Sequence, residues 1–115
     1  MRVAERPVDL GHLDRYTGGS RALNEEILRL FETQCRELLV KLEALIKTSD
    51  AKSWREVTHS LKGAARGIGA FALADAAAEA EAVDPANAPL ARALVQRIKG
   101  KSQAVESFIE SFASH

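Results

Sequence analysis

Apolar residues recur at helical spacing along nearly the whole chain, and each break in the repeat falls on a turn signal. Val8, Leu10, Leu13 and Tyr16 would line one side of a short helix over residues 8–16, which Thr17-Gly18-Gly19 ends. Ser20 is a natural N-cap for a long helix over 21–47, with Leu23, Ile27, Leu28, Phe31, Cys35, Leu38, Leu42, Leu45 and Ile46 as its buried band. Glu25, Glu26, Glu32, Arg36, Lys41 and Lys47 fall mostly off that band. Thr48-Ser49-Asp50 is the next punctuation, with Asp50 or Ser53 as cap; Ser53 and Glu56 could form a capping box. A helix over 50–68 then carries the stripe Trp54, Val57, Leu61, Ala64 and Ile68 and ends near Gly67-Ile68-Gly69. An alanine-rich helix over 71–83 turns Leu73, Ala76, Ala77, Ala80 and Val83 inward. Asp84-Pro85-Ala86-Asn87 is a turn, because proline resists helix at the residue before it. The last helix, from 88 or 89 to 112, has Leu90, Leu94, Ile98, Val105, Phe108, Ile109 and Phe112 on its stripe. Strand-like alternation of useful length is absent. The pattern predicts an all-α fold: an antiparallel up-down-up-down four-helix bundle with the short N-terminal helix across one end, as one domain over residues 1–115.

Composition narrows the classes of function. Sixteen basic residues balance sixteen acidic ones, so there is no global attraction for nucleic acid or an anionic membrane. Cys35 is the one cysteine and cannot form an internal disulfide, which fits a reducing compartment. No apolar run reaches the roughly 18–20 residues that cross a bilayer, and the N-terminus lacks a signal-peptide pattern. A cytoplasmic, monomeric protein is the expectation. His12 and His115 have no further ligand-type residue at metal spacing, so no zinc site is expected. Cys35 lies on a buried stripe, where a packed thiol is the simpler reading than a nucleophile, and Trp54 reads as a core anchor.

The candidate chemistry is at His59. At about 100° per residue His59 projects roughly 140–170° from the middle of its helix's apolar stripe, into solvent. Around it on the outer face stand Arg55, Lys62, Gly63 and Arg66. An exposed histidine is usually only solvated, and a charge run is usually a solvated face. Gly63 changes the balance: an exposed helical glycine costs about 1 kcal/mol relative to alanine, and this chain uses alanine freely nearby. Clearance for a bulky group on the imidazole would explain the gap. Gly67 and Gly69 are less telling, since both could simply end the helix. The cations should favour the neutral ring, a nucleophile toward phosphorus, and then attract the charged phosphoimidazole.

The run His59-Ser60-Leu61-Lys62-Gly63-Ala64-Ala65-Arg66-Gly67-Ile68-Gly69-Ala70, with Leu73 beyond it, resembles the signature of histidine phosphotransfer domains of multistep phosphorelays. That pattern is His-x-Leu-Lys-Gly, a glycine ten residues beyond the histidine, and an apolar residue four later. Thr17-Gly18-Gly19 and Trp54-Arg55 are similar to members of the family as well, so the resemblance runs over roughly residues 8–112. It implies that His59 accepts phosphoryl from the aspartyl phosphate of a receiver domain and hands it to another receiver, in either direction. It also implies Lys62 as electrostatic helper and Gly63 as the clearance position. Many relatives carry a glutamate or glutamine at the spacing of Glu81, where it bonds the ring and leaves Nε2 free. On its own sequence context Glu81 is equally a surface acid in an acidic helix beside Asp75, Glu79 and Asp84. Arg66 and Gly67 stand where relatives often have small or amide residues, so the charge there would tune the choice of partner. The implied partners are response-regulator receivers and a hybrid sensor histidine kinase, docked through Arg55, Gly63, Arg66 and an apolar patch that the sequence does not locate. No cofactor is implied for this chain, Mg²⁺ being expected on the receiver.

Two rival classes of function are open to such a sequence. A helix-turn-helix DNA reader would use the helix with Asp75, Glu79, Glu81 and Asp84, which has no Lys or Arg for phosphate contacts. A helical adaptor that binds receivers without transfer is opposed by the intact His59, Lys62 and Gly63. With neither a glycine-rich phosphate loop nor a kinase motif set, autophosphorylation from ATP is not expected, and the chain reads as a phosphocarrier rather than an enzyme.

Overall fold

A computed structural model describes residues 6–114; His115, considered above as a metal ligand, lies outside them. Five helices follow in order: α1 (Leu10–Thr17), α2 (Arg21–Thr48), α3 (Ala51–Gly67), α4 (Phe71–Glu81) and α5 (Ala88–Ala113), with no strand among the described residues. α2 packs on α3, α3 on α4, α4 on α5 and α5 back on α2, closing a four-helix bundle. At about 1.5 Å per residue the 28 residues of α2 account for the 43 Å long axis of the molecule. α1 rests on α2 at one end of the bundle and is tied to the α3–α4 turn by a bond from the Asp9 N–H to the Gly69 carbonyl, 2.9 Å.

Short polar side chains start the first three helices by accepting orphan N–H groups. Asp9 accepts from His12, Ser20 from Leu23 and Asp50 from Ser53. Ser53 also donates its hydroxyl to Asp50, so the cap is Asp50, not a Ser53–Glu56 box. The core runs through Leu13, Leu28, Leu42, Trp54, Leu61, Leu73, Ile98 and Ile109, with Ala65, Ala74, Ala76, Ala77 and Ala80 letting α3 and α4 approach closely. Trp54 is wholly buried and donates its indole Nε1–H to the Ala80 carbonyl at 2.8 Å, so its one polar group is satisfied. Cys35 is packed as expected, and burial pushes its thiol up to about 11.

Five expectations about burial are corrected. Tyr16, Leu23 and Leu90 are exposed, at 71%, 41% and 43%. Leu23 and Leu90 lie in the first turns of α2 and α5, where Asn24 and Ala91 point inward instead. Asn24 is the buried group because it binds α1, with its amide donating to Asp14 at 2.8 Å and its carbonyl accepting from the Thr17 hydroxyl at 2.6 Å. Glu32, assigned to the outer face, is 7% exposed and paired with Arg29 at 3.2 Å and Arg36 at 3.6 Å. Those arginines reach across to Glu110 and Glu106 of α5. Finally, the buried residues of α3 are Trp54, Thr58, Leu61 and Ala65, followed by its C-cap Ile68, while Val57 and Ala64 are half-buried. The buried stripe is therefore turned by about 40° from the expected one. Thr58 tolerates full burial by donating its hydroxyl to the Trp54 carbonyl at 2.8 Å.

Candidate functional site

That rotation defines the two flanks of His59. The side chain of His59 is 69% exposed and points out from the middle of α3. One flank faces α4, and the other opens toward α2 and α1.

On the α4 flank stand Lys62 and Glu81. Nδ1 of His59 is 3.2 Å from Glu81 Oε2, and the Lys62 ammonium donates to Glu81 Oε1 at 2.7 Å. One carboxylate thus holds both the ring and the lysine. With the proton on Nδ1 the imidazole donates to Glu81, and Nε2 keeps its lone pair toward solvent. The site reaches across two helices because α4 packs tightly on α3 through alanines, which brings Glu81, the last residue of α4, level with the middle of α3.

The electrostatics differ from a face of cations alone. The charged group touching the ring is a carboxylate, and Lys62 is 19% exposed and committed to it. Lys62 first, then His59, holds the Glu81 carboxyl below its ordinary value of 4.5. A group with a lowered folded value contributes stability above its unfolded pKa and loses it as the pH falls through the folded one. The Lys62–Glu81 link is accordingly expected to persist at neutral pH and to open only on acidification below 4.5, which a side-chain carboxyl NMR titration reads directly. A Glu81 midpoint at or above 4.5 would contradict the pairing.

Arg55 and Arg66 are exposed, have no ion-pair partner among the described residues and do not touch His59. They flank the ring one turn before it and two turns after it, and remain available to an anion from outside. Gly63 is exposed, and a Cβ there would meet nothing within 4 Å, so the protein's own packing does not require a glycine.

The α2 flank carries an apolar groove. Leu13, Tyr16, Ile27, Leu30, Phe31, Gln34, Ala64, Gly67 and Ile68 line an open groove of about 540 Å³ between α1, α2 and α3. Relative to His59, Gly63 lies about 40° round the helix, Gly67 about 80° and Ala64 about 140°, so the surface runs from the imidazole into the groove across two glycines. Tyr16 and Leu30, 71% and 67% exposed, form its rim. No three of the described His, Cys, Asp and Glu residues gather in a way that could hold a metal ion. No helix among the described residues is long and apolar enough to cross a membrane.

The Hpt domain family model matches residues 26–110 of this bundle, a span that includes both the outward imidazole of His59 and the carboxylate that holds it. The chain belongs to the Hpt domain family and has a histidine phosphotransfer role in phosphorelay signalling, where such domains work with receiver domains and histidine kinases. Among solved structures it is similar to histidine-containing phosphotransfer protein B (HptB) from Pseudomonas aeruginosa PAO1. The two superpose with a TM-score of 0.82 over 96% of this chain and 98% of that one, at 23% identity, which establishes the common fold. No curated protein matches the chain.

Proposed function

We infer that His59 is the residue that carries the phosphoryl group, between receiver domains and without any ATP-dependent activity of its own. The observation that carries this reading is the contact of Nδ1 with Glu81 on a ring otherwise open to solvent. In the transfer step the Nε2 lone pair attacks phosphorus of an aspartyl phosphate. The N–P bond forms as the acyl P–O bond breaks, the receiver's carboxylate leaves with that electron pair, and the proton stays on Nδ1 against Glu81. The reverse sequence loads a second receiver. As oxygens of the phosphoryl group come to the ring, Lys62 supplies the nearest ammonium, while Arg55 and Arg66 attract the same charge from further off. The chain needs no cofactor in this scheme, Mg²⁺ belonging to the receiver. The groove beside His59 is where the receiver docks: it is apolar, it is continuous with the imidazole through Gly63 and Gly67, and a donor must lie over this face to reach Nε2. A monomer in the cytoplasm, loaded by way of a hybrid sensor histidine kinase, completes the reading.

The test mixes the purified chain with a phosphorylated receiver and maps the acid-labile phosphoryl group by peptide mass. Label on the peptide with His59 is expected; label elsewhere, or none with a panel of receivers, overturns the assignment and leaves a receiver-binding adaptor. Lys62→Ala is expected to slow transfer about tenfold, the loss of one charge-assisted contact in the transition state. Because Lys62 lies at the edge of the bundle and Glu81 keeps its contact with His59 when the ammonium is removed, the variant's thermal midpoint should move by no more than about 3 °C. Equal rates for variant and wild type would remove Lys62 from the mechanism.

A further inference from the structure

Gly67 is the last residue of α3, yet its backbone is in the ordinary helical region; the positive-φ glycines are Gly18, Gly19 and Gly69. The reversal after α3 is made by Gly69, so the turn does not require glycine at 67. Packing does not require it either, because a Cβ at Gly67 would meet nothing within 4 Å. Alanine in such a place restricts the unfolded chain and stabilises the fold, so a glycine here is a disadvantage to folding that no internal contact explains.

A spare helical glycine by itself carries nothing, since Gly100 in α5 also has open space around it. What separates the two is their surroundings. Gly100 is exposed on α5 and takes no part in lining the apolar groove. Gly67 lines the apolar groove, between the exposed imidazole on one side and Ala64 and Ile68 on the other. A side chain at 67 would stand in the passage from His59 to the groove floor.

Resting on the phosphotransfer reading above, we propose that Gly67 is a specificity-determining residue of the docking surface. Its missing side chain leaves a notch through which a protruding apolar side chain of the receiver enters the groove between α1, α2 and α3 while the aspartyl phosphate faces His59. The occupant is a receiver because the notch opens on the face that the phosphoryl donor must cover, and it is apolar because Leu13, Ile27, Phe31 and Ile68 form the lining. Receivers with a polar or short side chain at that point are discriminated against, having nothing to fill the space.

The test uses the full chain as wild type, Gly67→Ala, Gly67→Leu and Gly100→Ala. Three quantities are measured: the melting temperature, the rate of His59 phosphorylation by phosphoramidate (a small donor that needs no docking), and the receiver concentration giving half-maximal transfer. Both alanine variants are expected to melt about 2–4 °C higher; Gly100→Ala should react with phosphoramidate at the wild-type rate, and any change of that rate in the Gly67 variants should be far smaller than their change in receiver half-saturation. Half-saturation should be unchanged in Gly100→Ala, rise about 3- to 10-fold in Gly67→Ala and exceed about 30-fold in Gly67→Leu, as expected for an obstructed interface core. A Gly67→Leu half-saturation within twofold of wild type overturns the notch while leaving the phosphocarrier reading intact. A wild type that takes phosphoryl from neither donor overturns that underlying reading instead. Concentration-dependent sedimentation of wild type, abolished by Gly67→Leu, would assign the groove to a second copy of the chain and overturn the proposal.

Discussion

His59→Gln is expected to abolish phosphoryl uptake while the bundle and its affinity for receivers persist. The amide nitrogen of glutamine has its lone pair delocalised into the carbonyl and cannot form the N–P bond. The side chain replaced is 69% exposed and its single polar contact is Glu81, which keeps its bond to the Lys62 ammonium at 2.7 Å. Surface substitutions of this sort stay within about 0.5 kcal/mol of wild type. Acid-labile label should therefore fall to background, with the receiver dissociation constant within about threefold of wild type, half a kcal/mol being roughly a factor of two to three. Label on the variant at the wild-type level would move the acceptor elsewhere. The other described histidine, His12, packs edge-on against Tyr16 and Phe71, with centroids at 5.5 and 5.2 Å, and has no carboxylate at its ring.

Gly69→Ala is expected to have the largest effect on stability of any single-methyl change in the chain. Gly69 sits at φ +81°, which disfavours any side chain, and a Cβ there would lie 2.6 Å from the Asp9 carbonyl oxygen and 3.2 Å from the Asp9 nitrogen. The obstacle is backbone, so it cannot swing aside. Asp9 is also the residue whose N–H bonds the Gly69 carbonyl and whose carboxylate caps α1. Backbone strain of about 1–3 kcal/mol therefore comes together with displacement of the segment that buries Val8 and Leu13. A combined loss of about 2–4 kcal/mol, read as a fall of more than about 10 °C in thermal midpoint, is the expected outcome. Hydrogen exchange should speed up first in α1. Transfer from a receiver should weaken as well, because Leu13 and Tyr16 of α1 wall the groove, whereas labelling by phosphoramidate should continue below the new midpoint. A midpoint within 2 °C of wild type would show that the Asp9 segment yields at little cost.

These two residues also mark how far the sequence could be read. The exposure of His59 followed from counting 3.6 residues per turn, because a single helix face is a local property. Helix ends were legible to within a residue or two for the same reason: Ser20 and Asp50 cap where their chemistry says they should. The contact of Glu81 with His59 came only through the family spacing, since its own helix reads equally well as a solvated acidic surface. The role of Gly69 was out of reach. It looks like an ordinary helix terminator, and the group that forbids a side chain there, the Asp9 backbone, is sixty residues away in the chain. The groove was hidden likewise, because it is assembled from α1, α2 and α3 and exists only because the buried face of α3 is centred between Leu61 and Thr58. Glu32 was misplaced because helical periodicity treats a carboxylate as outward, while Arg29 and Arg36 make its burial tolerable by pairing with it.

The indole bond from Trp54 to the Ala80 carbonyl has a mechanical consequence. The alanine face of α4 offers few protruding side chains to resist sliding along α3. A donor fixed deep in one helix and an acceptor fixed in the other act as a pin, and the pinned carbonyl belongs to the residue immediately before Glu81. A shift of α4 by a single residue would carry that carboxylate about 1.5 Å along and about 100° around its axis. Axial alignment of the carboxylate with the imidazole is thus set one turn away from the reacting atoms, by an aromatic side chain that never meets the phosphoryl group.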